Sequence, residues 1–198
     1  DSVRFLYDGR GRLAQEIEGG RTTTYGYHAT SGRLSRITDP AGRVSQFSYD
    51  SAGRVTAQTL PDGRTIGFGY DANGNLTSLT PPGRPGHGFQ YSSADLAIQY
   101  DPPGIPGPKP TKYFYNLDRQ VDSIVRPDSL KIGFVYDVAG RPSSVSFDRG
   151  TLGFGYSATG GSLTSIASPG GDSLKFTYDG AMPTTVTWKG QVNGSVVV

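Results

Sequence analysis

The 198-residue sequence has no cysteine, one methionine, one tryptophan and two histidines. Without thiols there is no disulfide framework, no thiolate metal site and no cysteine nucleophile, and the redox compartment leaves no mark on the composition. No run of basic residues is present either. The 19 Lys and Arg and the 17 Asp and Glu are interleaved, for a net charge of +2, so neither nucleic acid nor an acidic membrane surface is an expected partner. No stretch approaches 18 consecutive apolar residues and the first residues lack the basic and apolar regions of a signal peptide, so no membrane insertion is expected, and an export signal of the parent would lie elsewhere.

What the chain has in excess is glycine and proline, 29 and 14 residues, together with 12 tyrosines and 9 phenylalanines. Many turn formers among many β-favouring aromatics predict short strands cut by tight turns, with helix disfavoured throughout. The aromatics also recur at fixed intervals, which a solvated, disordered chain would not require.

The interval is about 21 residues. Tyr7, Tyr27, Tyr49, Tyr70, Tyr91, Tyr115, Tyr136, Tyr156 and Tyr178 are separated by 20, 22, 21, 21, 24, 21, 20 and 22 residues. Two places before each stands another aromatic: Phe5, Tyr25, Phe47, Phe68, Phe89, Tyr113, Phe134, Phe154 and Phe176. An i, i+2 pair lies on one face of a strand, so every repeat carries a strand with two stacked rings on one side. After most anchors comes a short polar residue, Asp50, Asp71 and Asp137 among them, and then a glycine such as Gly53, Gly74 or Gly140 where positive φ is needed. An apolar pair at i, i+3 follows, for example Leu34 with Ile37 or Leu76 with Leu79. That spacing fits neither a regular strand nor a helix, and implies either a bulge or a first residue packed at the turn. A second turn of the Pro-Asp-Gly type closes the unit.

Each period therefore reads as a β-hairpin, and consecutive hairpins should pair edge to edge. Nine units imply roughly 17 to 18 strands and a sheet on the order of 80 Å wide, which should curl because twisted open sheets rarely exceed about ten strands. The expected fold is all-β: tandem hairpins in one strongly curved, spiralling antiparallel sheet, a single array over residues 1–198. Residues 1–7 supply only the second strand of a hairpin and residues 195–198 stop within such a strand. The expectation is a piece of a longer array, truncated mid-repeat at both ends and able to dimerise through its open edges.

The motif Tyr-Asp-x-x-Gly-Arg-Leu, a Pro-Asp-Gly turn and an aromatic-x-Tyr strand, clearest over residues 49–75, resembles the YD repeat, also called the Rhs repeat. The resemblance covers essentially the whole chain. It implies a large hollow β-shell of the kind that bacterial Rhs proteins and the BC components of insecticidal toxin complexes use to encapsulate a C-terminal toxic domain; in animal teneurins a similar barrel serves adhesion. It also implies a secreted or cell-surface bacterial parent, with neighbouring repeats and an enclosed toxin or effector as partners. Asp39-Pro-Ala-Gly and Asp101-Pro-Pro-Gly match the letters of the Asp-Pro-x-Gly motif at which such shells cleave themselves, but lie inside the array and read as hairpin turns.

Residues that could carry chemistry have simpler readings. His28 and His87 sit at or near turns, with no spacing of the H-x-x-x-H kind, and no metal or cofactor is expected. Asp101, Asp118, Asp122 and Asp128 fall in or near turn slots, where carboxylates bond locally, so no catalytic residue and no enzyme activity are expected. Arg10, Arg12, Arg33, Arg43, Arg54, Arg64 and Arg141 follow turn glycines; they fit either a ladder pairing with the Asp of neighbouring repeats or solvated strand ends in weak ion pairs. Residues 80–110 hold 8 of the 14 prolines, and predict an enlarged, stiff hairpin loop whose Tyr100, Pro103, Ile105 and Pro108 are the candidate partner contacts. The leading function is a non-catalytic scaffold walling off a cargo domain; the alternative is a surface module binding carbohydrate or protein.

Overall fold

The computed structural model describes residues 2–104 and 109–198. Among the described residues there are nineteen β-strands and no helix, in two compact units, Asp1–Asp95 with Asp101–Pro106 and Leu96–Tyr100 with Gly107–Val198. The first unit contains β1 (Val3–Tyr7), β2 (Leu13–Glu18), β3 (Arg21–Tyr27), β4 (Leu34–Thr38), β5 (Val44–Tyr49), β6 (Val55–Thr59), β7 (Thr65–Tyr70), β8 (Leu76–Thr80) and β9 (His87–Tyr91). The second unit is built on β10 (Ala97–Asp101), β11 (Thr111–Tyr115), β12 (Val121–Val125), β13 (Lys131–Tyr136), β14 (Pro142–Phe147), β15 (Gly150–Tyr156), β16 (Leu163–Ala167), β17 (Ser173–Asp179), β18 (Met182–Lys189) and β19 (Gly194–Val197).

Within each unit every strand pairs antiparallel with its successor in sequence. Within each unit a strand's contacts are with its neighbours in sequence. The sheet is consequently all that each unit has. No apolar side chain is fully buried among the described residues, and Ser123 is the one residue in the buried class. The accessible surface of 12955 Å² compares with about 9,000 Å² for a close-packed monomer of this mass. Stability must come from strand pairing and same-face contacts, not from a centre.

Two alternating turn types close the hairpins. At Asp50 the backbone N–H donates to the Arg54 carbonyl (3.0 Å) and the Gly53 N–H to the Asp50 carbonyl (3.1 Å), with Gly53 at φ 90°. This is a three-residue loop ending in a bulge that needs positive φ. The proline turns use the same scheme, as in Leu60-Pro-Asp-Gly63-Arg64, where Gly63 has φ 82°. Among the described residues, Asp95, Arg119 and Ser129 also take the left-handed conformation, each at the slot that glycine fills elsewhere.

The i, i+3 apolar spacing resolves as a bulge. Tyr70 lies opposite Leu76 and Phe68 opposite Leu79, with the register slipping between Gly69 and Tyr70. One extra residue, Thr77, lets both members of the apolar pair face both members of the ring pair. The same slip precedes Tyr7, Tyr27, Tyr49, Tyr115, Tyr136, Tyr156 and Tyr178.

The turn geometry makes opposite predictions at two sites. Gly74→Ala, at φ 98°, should destabilise the protein by about 1–2 kcal/mol. Arg119→Gly, at φ 62°, should stabilise it by up to about 1 kcal/mol. Urea titrations followed by far-UV circular dichroism check both; equal midpoints for the two variants would contradict the assignment.

Candidate functional site

The feature that recurs in every repeat is a rung built on the anchor tyrosine. Between hairpins the ladders are short and lie at the end away from the anchor tyrosine. β4 and β5, for example, pair only from Arg36 with Gln46 to Thr38 with Val44. The first residue of β4, Leu34, lies beyond that ladder, so its carbonyl faces the next hairpin with no backbone N–H opposite it. The Tyr49 hydroxyl fills the place, donating to the Leu34 carbonyl at 2.7 Å.

The same bond joins Tyr27 to Leu13, Tyr70 to Val55, Tyr91 to Leu76, Tyr115 to Ala97, Tyr136 to Val121, Tyr156 to Pro142 and Tyr178 to Leu163, at 2.7 to 3.0 Å. In every case the acceptor is the first residue of an even-numbered strand. Tyr7 makes no such bond and is 64% exposed.

The Asp after the anchor holds the turn behind the next rung. Asp50 Oδ1 accepts from the Arg54 N–H (2.9 Å) and its Oδ2 from Arg54 Nε (2.7 Å). Asp137 does the same with Arg141 at 3.0 and 2.8 Å, and Asp8 with Arg12 at 2.9 and 2.8 Å. Asp71 bonds Asn75 in the same two places, and Asn116 with Gln120 is a neutral version. The Asp8 carboxyl is held down to about 2, first by the Arg12 side-chain hydrogen bond and then by the Arg12 backbone N–H. Asp50 is lowered chiefly by the Arg54 backbone N–H and Asp137 chiefly by the Arg141 side chain.

The arginines do not form the ladder of inter-repeat ion pairs that was one of the two expectations. Arg12, Arg43, Arg54 and Arg141 pair with the Asp of their own turn, because four residues around a tight loop bring that carboxylate nearer than any in the next hairpin. What crosses to the next repeat is the guanidinium face. Arg12 lies 4.2 Å over the Tyr27 ring, Arg54 4.7 Å over Tyr70 and Arg141 4.3 Å over Tyr156. Arg12 and Arg54 also donate to turn carbonyls of the following repeat, Gly32 (3.1 Å) and Asp71 (2.7 Å). The signal for this was in the sequence as Gly-Arg-apolar before β2, β4, β6 and β14, but only the rung shows which partner that arginine takes. The arginines of the proline turns stay in solvent: Arg43 and Arg64 are about two-thirds exposed.

Asp39 starts a hairpin turn, as expected of its Asp-Pro-Ala-Gly. Asp101 ends β10 and leads into the proline-rich loop joining β10 to β11, which pair through Gln99 with Lys112 and Tyr100 with Thr111. Tyr100 and Pro103 are half-buried, and Ile105 and Pro108 lie outside the described residues. His28 follows β3 in its turn, whereas His87 opens β9 opposite Leu79. No group of three or more His, Asp or Glu suited to a metal ion occurs among the described residues.

With this geometry in view, the comparison with known proteins is direct: the family model of the teneurin YD-shell matches residues 1–197. The chain belongs to that family. Its YD-shell fold is similar to that in the crystal structure of TcdB2-TccC3-Cdc42, with TM-score 0.78 and 16% identity over 99% of this chain and 13% of the other. The Photorhabdus luminescens Tc holotoxin pore with a mutated TccC3 gives 0.77 and TcdB2-TccC3 gives 0.70, both at 16% identity and the same coverage. The YD-shell chain thus spans about an eighth of the solved chains that it matches. A search of curated proteins finds no match.

Tyr70→Phe should cost about 1 kcal/mol through the unpaired Val55 carbonyl, while Phe68→Tyr at the other ring of the pair gains no such bond. Acid should weaken the turns in a defined window. A carboxyl lowered in the folded state stabilises above its unfolded value of about 3.9 and loses that contribution as pH falls through its folded value, about 2 for Asp8. The melting temperature should therefore hold from neutrality to about pH 4 and fall below it. Asp8→Asn together with Asp137→Asn should flatten that fall, and an unchanged acid profile in this variant would show that the turns are not its source.

Proposed function

We propose that this chain is a length of wall: a non-catalytic scaffold within a YD-shell that encloses a toxin or effector domain of its parent protein. The observation that carries the reading is that every anchor from Tyr27 to Tyr178 bonds back to the preceding hairpin while each anchor ring stays only half-buried. A structure that repeats its joint and leaves its apolar face half open is suited to spanning distance and bounding a space. A ring inserted at one edge of each hairpin, with none at the proline-turn edge, turns successive hairpins in the same sense, which is how such a wall would curve around a cargo.

Family membership supports the shell, and the similarity to Tc toxin structures supports enclosure of an effector in an exported protein. The single array over 1–198 belongs to the same reading.

The test uses the full-length parent. Its enclosed domain should resist a protease that cuts the same domain when expressed alone. Replacing Tyr49, Tyr70 and Tyr136 by Ala should restore cleavage without altering the domain. A cargo cut equally fast in the intact parent and alone would overturn the proposal.

A further inference from the structure

Two repeats share a loop one residue longer than the rest, and they serve as controls for each other. In the first, residues 26–37 read GYHATSGRLSRI; in the second, residues 155–166 read GYSATGGSLTSI. The backbones correspond throughout. His28 N–H donates to the Arg33 carbonyl and Ser157 N–H to the Ser162 carbonyl, both at 2.8 Å, five residues on instead of the four of Asp50 and Arg54. Gly26 faces Arg36 and Tyr27 faces Leu34, as Gly155 faces Ser165 and Tyr156 faces Leu163. Beside each longer loop lies a cleft, of about 570 Å³ at the first and about 480 Å³ at the second.

The two clefts differ in charge. His28, Arg33 and Arg36 line the first, where the second repeat has Ser157, Ser162 and Ser165. The second repeat makes the same hairpin with three serines, so its backbone does not require the three basic residues; of these, Arg33 keeps the place over the next tyrosine that Arg12, Arg54 and Arg141 hold.

No ion pair or side-chain hydrogen bond holds either the Arg33 or the Arg36 guanidinium among the described residues. The counterparts of Arg33 in three other repeats pair with an Asp of their own turn; at that place here stands His28. Arg12 and Arg54 also bond carbonyls of the next turn, but among the described residues no such bond reaches the half-buried Arg33, whose guanidinium lies across Gly53. Its face is 5.8 Å from the Tyr49 ring, against which the His28 ring also stands edge-on. Arg36, which is exposed, folds its stem over Gly26, where a Cβ would come within 2.8 Å of Cγ, and has no carboxylate within ion-pair distance among the described residues. The one carboxylate on the cleft, Asp50, is taken by Arg54.

We propose that this cleft is a binding site for a tetrahedral oxyanion, a phosphate or sulfate group. A guanidinium presents five N–H donors in a planar fork suited to two oxygens at once. Two such forks with spare donors, a histidine N–H and the hydroxyls of Ser31, Ser35 and Ser48 around them, match a doubly charged group that accepts many hydrogen bonds. The cleft is larger than one such ion needs and within the range of small-molecule sites, so the group is carried on a sugar-sized polar body.

The test is nitrogen-edited NMR on the whole chain at physiological salt, titrated separately with inorganic phosphate, inorganic sulfate, glucose 6-phosphate and unmodified glucose. Saturable shifts confined to the Arg33, Arg36, Ser35 and Ser48 region are expected with the anions and none with glucose; tighter binding of the ester than of inorganic phosphate identifies the carrying body. H28S/R33S/R36S, which installs the residues of the matching repeat and so folds, should weaken binding about tenfold or more. Arg43→Ser, which removes an arginine outside the cleft, should leave it unchanged. No saturable shift at tens of millimolar anion, or the same loss in Arg43→Ser, would overturn the site. Phosphate binding as tightly as its ester would overturn the sugar-sized body.

Discussion

The bond from the anchor tyrosine's hydroxyl to the first carbonyl of the preceding even strand is what the rest of this structure depends on. A hairpin by itself is marginal in water, and a sheet with no second layer has little buried apolar area to hold hairpins together. Each joint between hairpins has a ladder of only two to four residue pairs, at the end away from the anchor tyrosine. At the other end the strands part, and a side chain long enough to cross the gap and polar enough to satisfy a carbonyl must stand in for the missing backbone donor. Tyrosine does both. That is why the anchor is tyrosine at each of the eight joints from Tyr27 to Tyr178, while the ring two places earlier varies between Phe and Tyr.

The turn chemistry follows from that joint. The Asp gathers its own loop by accepting backbone N–H groups and swings the arginine four residues on over the ring of the next rung. The ion pair of such a motif is solvent-screened and weak, and the cation–π contact is a small term too. Neither would matter alone. In a one-dimensional array stability is approximately a sum of unit and neighbour terms, so a small term repeated at each joint accumulates. Where Asp and Arg become Asn and Gln, at 116 and 120, the hydrogen bonds survive the loss of charge, which shows that geometry is the conserved element within the array. The repeat with His28 breaks this pattern, leaving arginines for other use.

Much of this was legible in the residues. The 21-residue spacing of Tyr, the ring two places before it and the glycine slots specify hairpins because strand alternation and positive φ are local constraints. The i, i+3 pair even announced the bulge, though one residue packed at the turn remained an equal alternative until the register of Tyr70 against Leu76 decided it. The arginines were harder. Gly-Arg-apolar recurs plainly, yet an ion pair with a neighbouring Asp and one with its own Asp look alike in sequence, and only the closed loop shows that the nearer carboxylate takes the charge and leaves the guanidinium face for the next tyrosine.

The sequence by itself determined where strands and turns fall, which face of each strand carries rings, and that the unit repeats, since these follow from periods of two residues and from the φ preferences of glycine and proline. Only the tertiary structure decided what each tyrosine hydroxyl reaches, which carboxylate holds each arginine, and that Arg33 and Arg36 are left with donors to spare. Those outcomes depend on the distance between strands about fifteen residues apart in the chain, and a one-dimensional pattern carries no measure of that distance.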